Sequence, residues 1–315
     1  MGARAVAAAA RAGGDRAGER VAPRAGGDRP AGPPALARGG AAGTASARGL
    51  LLTVLGELVL PAGGAAWTSA FIAAFARLGV GEKAIRQALA RAGAAGWIRP
   101  ERHGRRTRWV LTAGGTRLLT EGTERIYAFT GTQRDWDGSW MLVLAPVPDA
   151  GRPARRRLRT RLSWAGLGSP APGVWITTHA NRLAEVEDAL RGAGIASWQA
   201  FAAEHRAGAG LAALVAQAWD LPAIEKRYEE FLAEFGSPAA ADPLARLVEL
   251  VHAWRRFPFI DPGLPGRLLP PGWIGMRAAR LFTARHERWS PPAAAEWARL
   301  NGPAAVTDAG LRTPP

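Results

Sequence analysis

The feature that most constrains this chain is a change of period at Gly96. Before it, apolar residues recur at helical spacing; after it, they alternate. Leu51, Leu52, Val54, Leu55, Leu58 and Val59 make an i, i+3, i+4, i+7 stripe that ends at Pro61 and the Gly63-Gly64 pair. Phe71, Ile72, Phe75 and Leu78 share one face of a second helix, Thr68 to Leu78, which Gly79 stops. A third helix from about Glu82 to Ala95 turns Ile85, Ala88 and Leu89 inward, with Gly96 as its C-terminal stop. Trp97-Ile98-Arg99 and Thr107 to Thr112 then read as two strands around a turn centred on Gly104. Three helices followed at once by a basic hairpin are the plan of a winged helix-turn-helix. A further helix, about Gly115 to Phe129, leads out of the unit.

In that plan the second helix of the motif lies in the major groove with its N-terminal residues at base edges. Here its outer face carries Glu82, Lys83, Arg86, Gln87 and Arg91. Arg86 suits a guanine edge and Gln87 an adenine edge. The hairpin adds Arg99, Arg102, Arg105, Arg106 and Arg108, with His103, so five fixed positive charges fall within ten residues. Such a cluster repels itself unless a polyanion neutralises it. Neutralising ~4 to 6 phosphates would give log K against log salt a slope of roughly −4 to −5. A solvated helix face and arginine drift are the plainer readings. Of 41 basic residues only Lys83 and Lys226 are lysines, and the chain is rich in Ala, Gly and Pro. Drift alone, however, would not concentrate charge beside the candidate recognition helix.

The 315 residues suggest two or three domains at ~100 to 200 residues each, and part of the arginine excess behind the net charge of +15 reads as compositional drift. Zero cysteines remove disulfides, thiol nucleophiles and thiolate zinc sites. His103, His179, His205, His252 and His286 form no i, i+4 ligand pair, and GxGxxG, GxxxxGK[ST], HExxH and GxSxG are absent, so no cofactor, metal or catalytic constellation is expected. Ala5 to Ala10 is too short for a signal-peptide core, and Leu58 to Ala76 is broken by Pro61 and Gly63-Gly64. A soluble cytoplasmic protein, not an enzyme, is the expectation. Residues 1–47, with GGDR at 13–16 and 26–29, have too little apolar surface to fold and read as a disordered leader.

The winged-helix domain is expected over 48–130 and an α+β domain over 131–206. The latter has a strand Ser139 to Ala145, a helix carrying Arg152, Arg155, Arg156, Arg157, Arg159 and Arg161, a strand Gly173 to Thr177, a helix Arg182 to Gly192 and a strand Ile195 to Ala202. The basic helix could be a second phosphate surface or a partner interface; a solvated face is slightly preferred. Asp135 and Asp137 read as turn formers, and Glu225, Glu229 and Glu230 as a charged outer face. Helices over 211–219, 222–235, 242–257 and 272 to about 288 form a C-terminal helical domain over 207–290, with 291–315 as a tail.

Six stretches in order carry a resemblance to PaaX-type transcriptional repressors of phenylacetic acid degradation: LVLPAGGAAW, GEKAIRQALARAGAAGW, GRRTRWVLT, ERIYAF with WDGSW, RRRLRTRLSWAGLGSPAPGVWI and RRFPFIDPGLPGRLLPPGWIG. They cover about residues 48–290. The resemblance implies a homodimer that binds double-stranded operator DNA. It further implies a Cas2-like ferredoxin-like middle domain, a helical C-terminal domain and release by an aryl-CoA thioester such as phenylacetyl-CoA. Within the last stretch, Arg255 and Arg256 precede an aromatic run that leads to Asp261 and Trp273, a combination suited to a phosphate-bearing, aryl-tailed effector. Proline-locked turns capped by Asp261 would serve folding equally well. Two other classes stay open: a nonspecific DNA binder, and a metal-dependent nuclease using Asp149.

Overall fold

The computed structural model describes residues 46–129, 135–145, 151–237 and 242–302; the leader, Asp149, the side chain of Arg152 and residues 303–315 lie outside the described residues. Ser46 caps α1 (Ala47–Val54) by accepting the Gly49 N–H at 3.1 Å. The helix runs on into a π-helical turn, Leu55–Val59, that carries Glu57. Strand β1 (Ala65–Trp67) leads directly into α2 (Thr68–Arg77), and α3 (Glu82–Ala94) follows across Gly79, whose φ of 70° suits a residue without a Cβ. Strands β2 (Ile98–His103) and β3 (Arg106–Leu111) form the hairpin, and α4 (Ala113–Ala128) leaves it. The sheet order is β1-β3-β2, all antiparallel. β1 is an addition to the sequence expectation: three residues, Ala-Ala-Trp, are too few to show a period, and pairing with β3 defines the strand.

The central unit runs β4 (Ser139–Leu144), α5 (Gly151–Trp164), β5 (Gly168–Ala171), β6 (Val174–Thr177), α6 (Leu183–Arg191) and β7 (Gln199–Glu204). Its antiparallel sheet has the order β5-β6-β4-β7, the ferredoxin-like βαββαβ arrangement. Val143 and Trp175 meet Leu158, Leu162, Val186 and Leu190 in a core of this unit's own. The sheet's other face, through Trp140 and Ile176, joins a larger core. β5 also escaped the sequence pattern, because Gly168 and Pro170 are weak strand formers tolerated at a sheet edge. β7 starts at Gln199, four residues beyond the expected Ile195.

The rest is helical: α7 (Leu211–Ala218), α8 (Leu221–Phe235), α9 (Pro243–Trp254), the short α10 (Phe257–Ile260) and α11 (Gly275–Asn301). Asp220 and Asp242 cap α8 and α9, each with a proline in the first turn. α11 passes the expected stop near residue 288 and continues through Pro291 and Pro292. Trp289, Ala293, Trp297 and Leu300 are buried in one stripe across those prolines, and that burial offsets the missing N–H groups. The larger core is continuous from Leu51 and Phe71 to Trp254, Phe282 and Trp297, so the N-terminal helices and the C-terminal helices share one interior.

Candidate nucleic-acid interface

α3 is held by Ile85, Ala88, Leu89 and Ala92, all buried, which leaves Lys83, Arg86, Gln87 and Arg91 exposed on the opposite face. Lys83, Gln87 and Arg91 have no ion pair or side-chain hydrogen bond among the described residues. Arg86 is engaged by Glu82 one turn earlier, with Nε 2.7 Å from Oε1. Both side chains of that pair are more than half exposed, and it holds the guanidinium by no more than ~0.3 to 0.5 kcal/mol. Arg86 can therefore exchange Glu82 for a base or phosphate at small cost.

The hairpin sorts its cations by strand parity. Arg102 pairs across to Thr107, on the sheet face that also carries Ile98, Trp109 and Leu111. Trp109 packs 3.3 Å from the position a Gly93 Cβ would occupy, so this face is the one against α3. Arg106 and Arg108 lie on the other face with His103 and Glu101. Arg106 stacks its guanidinium 3.8 Å above the Trp67 ring, and His103 meets the same ring edge-on at 5.3 Å. Arg106 thus fastens the hairpin to β1. Arg99 is paired with Glu101 at 2.7 Å. Arg102, Arg105 and Arg108 carry no ion pair among the described residues, and Arg105 sits at the turn beside Gly104.

The hydroxyl of Thr68, the first residue of α2, donates to the Thr107 carbonyl at 3.0 Å and accepts from the Trp109 indole at 3.1 Å, tying the helical motif to the hairpin. Behind this unit lies a polar cluster that sequence patterns did not signal. Glu57 accepts the Tyr127 hydroxyl at 2.5 Å, and its other oxygen lies 2.7 Å from His286 Nε2. Burial, reinforced by Glu57, raises the Tyr127 pKa. The cluster joins the π turn, α4 and α11, three segments far apart in sequence.

Of the residues expected to hold an effector, Arg255 and Asp261 are buried and Arg256 and Trp273 half-buried. Arg255 is 1% exposed, lines a void of about 20 Å³ with Thr53, Glu57 and Tyr127, and leaves Nε and Nη1 without a partner among the described residues. Burial and the neighbouring Arg256 push its pKa down to about 10. Asp261 accepts the Tyr228 hydroxyl at 2.6 Å and the Gly263 N–H at 2.7 Å; burial raises its pKa against those two bonds. Tyr228 is stacked on Phe257 at 4.2 Å and meets Trp273 edge-on at 6.0 Å. Arg256 is half-buried and its pKa is lowered by burial and by Arg227. Tyr228, Phe257 and Trp273 thus pack on one another next to the Tyr228–Asp261 hydrogen bond.

Elsewhere, Arg155, Arg156, Arg157 and Arg159 of α5 are exposed, while Leu158 and Leu162 face inward. Asp137 accepts the Ser139 N–H at 2.8 Å, which closes the turn before β4. Among the described residues no three His, Asp or Glu side chains are grouped to hold a metal ion, and no helix is long and apolar enough to cross a membrane.

Three family descriptions match successive parts of the chain: PaaX-like protein at residues 46–115, PaaX protein central Cas2-like domain at 133–215, and PaaX-like protein C-terminal domain at 219–299. The Escherichia coli (strain K12) protein named transcriptional repressor PaaX is 31% identical over 265 residues, 79% of this chain and 82% of that protein. The solved structure of an uncharacterized protein, Rv0674 from Mycobacterium tuberculosis, shares the fold with a TM-score of 0.55 at 24% identity, over 81% of this chain and 98% of that one.

Proposed function

The chain belongs to the PaaX family, and on that premise we propose that it is a cytoplasmic transcriptional repressor of phenylacetate-type aromatic catabolism genes. In this reading it acts as a homodimer on double-stranded operator DNA and leaves it on binding an aryl-CoA thioester such as phenylacetyl-CoA. The observation that supports DNA binding is the exposed face of α3 with Lys83, Arg86, Gln87 and Arg91 unburied, next to a hairpin whose Arg102, Arg105 and Arg108 are unpaired among the described residues.

The N-terminal unit then works as a winged helix. α3 enters the major groove with Arg86 and Gln87 at base edges and Lys83 and Arg91 toward the backbone. Arg102, Arg105 and Arg108 lie along phosphates, and Arg106 positions the wing through Trp67 rather than contacting DNA itself. Two copies related by a dyad would require half-sites related by the same dyad. The effector releases the operator by favouring a state in which the two recognition helices no longer match those half-sites. A swing in occupancy from 1:99 to 99:1 needs about 5.5 kcal/mol of preference.

The test is the specificity ratio between operator and random DNA in the double variant Arg86→Ala/Gln87→Ala. Losing two base-reading side chains at ~1 to 3 kcal/mol each should lower that ratio at least tenfold. An unchanged ratio would show that α3 does not read bases.

A further inference from the structure

Between the central unit and the C-terminal helices lies a crevice of about 870 Å³, bounded by α5, β5 and β6 on one side and by α7 and the segment 267–271 on the other. Its size falls in the range of small-molecule sites, ~300 to 1,000 Å³. Trp175 and Trp219 both line it. Trp175 is 6% exposed and packs with Leu158 and Leu162 on the α5 side of the sheet, whereas Trp219 stacks on Trp140 on the other side, so the two rings border the crevice from opposite faces of the sheet.

The same lining supplies positive charge. Arg159 of α5 has no ion pair among the described residues. Arg267 is held in place: its guanidinium lies 4.2 Å over the Trp136 ring and donates to the Trp136 carbonyl. Trp136 in turn meets Trp140 at 5.0 Å, and Trp140 stacks on Trp219 at 6.3 Å, so this wall is a packed aromatic series. The carboxylate of Asp220 also borders the crevice, but it is engaged in capping α8, where it accepts the Ala223 N–H at 3.1 Å. Gly168 completes the wall: a Cβ there would lie 2.4 Å from the Trp219 ring. Val215 and Leu268 add apolar surface.

We propose that this crevice is the effector site, and that it takes an organic anion carrying a flat apolar group. Arg159 and Arg267 meet the anionic part, and the aromatic and aliphatic wall meets the apolar part. The inference deepens the repressor reading and rests on it. It also gives the ligand a route to the DNA-binding unit. Segment 267–271 leads into α11, whose last residue, Asn301, bonds to β1.

The test titrates phenylacetyl-CoA and free coenzyme A into the full chain by calorimetry, for the wild type, Arg159→Gln and Ala216→Trp. Ala216 is an exposed α7 residue on the crevice wall, remote from α3 and the hairpin in sequence, and a tryptophan there narrows the space. Phenylacetyl-CoA should bind the wild type at least fivefold more tightly than coenzyme A and at least fivefold more tightly than it binds either variant. Ala216→Trp should keep the wild-type affinity for operator DNA in the absence of ligand. If the thioester binds all three proteins equally, the crevice is not its site, while the repressor reading stands. If acyl-free coenzyme A binds as well as the thioester, the apolar half of the assignment fails. If the wild type binds neither, the effector reading falls together with its site, and operator binding alone remains to be judged.

Discussion

Asn301, the last residue of α11, accepts the backbone N–H of Trp67 at 2.9 Å and donates to the Ala65 carbonyl at 3.1 Å. A side chain from the far end of the sequence thereby bonds strand β1 on both sides of Ala66. The same helix places Trp297 edge-on against Phe71 at 5.6 Å and Glu296 against Arg77 of α2. The C-terminal helix is thereby bonded and packed against β1 and α2 of the N-terminal unit. The crevice segment 267–271 precedes that helix in the chain.

Removing this clamp should be felt at both levels. Asn301→Ala leaves the Trp67 N–H without its partner, at a cost of about 1 to 3 kcal/mol. Urea unfolding should show that loss, and DNA affinity should fall as the wing loosens. An unaltered urea midpoint with unaltered DNA affinity would mean that β1 is held by its pairing with β3 alone.

Glu82 should act as a brake on DNA binding. It holds Arg86 and adds a negative charge at the start of the candidate recognition helix. Glu82→Gln frees the guanidinium and removes repulsion from phosphate, so affinity at constant salt should rise roughly two- to fivefold. A fall in affinity would show that the ion pair orients Arg86 for binding.

The two neighbouring arginines of the hairpin should behave differently. Arg105→Ala should reduce the slope of log K against log salt by about 1 with little effect on stability. Arg106→Ala removes the stack on Trp67 and should destabilise the fold by about 0.5 to 2 kcal/mol. Salt titrations paired with thermal unfolding separate the roles; identical behaviour of the two variants would contradict the assignment.

His252 should make the protein acid-sensitive. Burial, Arg255 and Arg256 lower its pKa from 6.5 to about 3, and its Nδ1 lies 3.2 Å from Thr53 Oγ1. Below pH 6.5 the unfolded chain takes up a proton that the folded one refuses until about pH 3. This contribution is therefore complete above pH 6.5 and is lost as pH falls toward 3, at up to about 1.4 kcal/mol per pH unit. Comparing urea unfolding at pH 7.0 and 5.5, the loss should be about 1 kcal/mol smaller in His252→Gln than in the wild type. Equal losses would place the acid sensitivity elsewhere.

What could be read before the structure was local. Gly79, Gly96 and Gly104 punctuate α2, α3 and the hairpin, and each adopts positive φ. Strands β1 and β5 could not be read, because Ala65–Trp67 has no period and Gly168–Ala171 has a composition that disfavours strands; both are defined by partners distant in sequence. The prolines of α11 gave a stop signal that the buried stripe Trp289, Ala293 and Trp297 overrides. At the interface, the outward face of α3 followed from periodicity, whereas the restraint of Arg106 by Trp67 required tertiary contact. The same holds for Arg255 and Asp261: their residue types suggest a ligand, but the fold buries both, with Asp261 bonded to Tyr228 in the core.

The most direct test of the central claim is a fluorescence anisotropy titration of the full chain on DNA from upstream of its own gene, with competitor DNA at ~150 mM salt, with and without phenylacetyl-CoA. Saturable binding that survives competitor and is reversed by the thioester is the predicted result. Binding that competitor abolishes equally on any sequence, with or without the thioester, would contradict it.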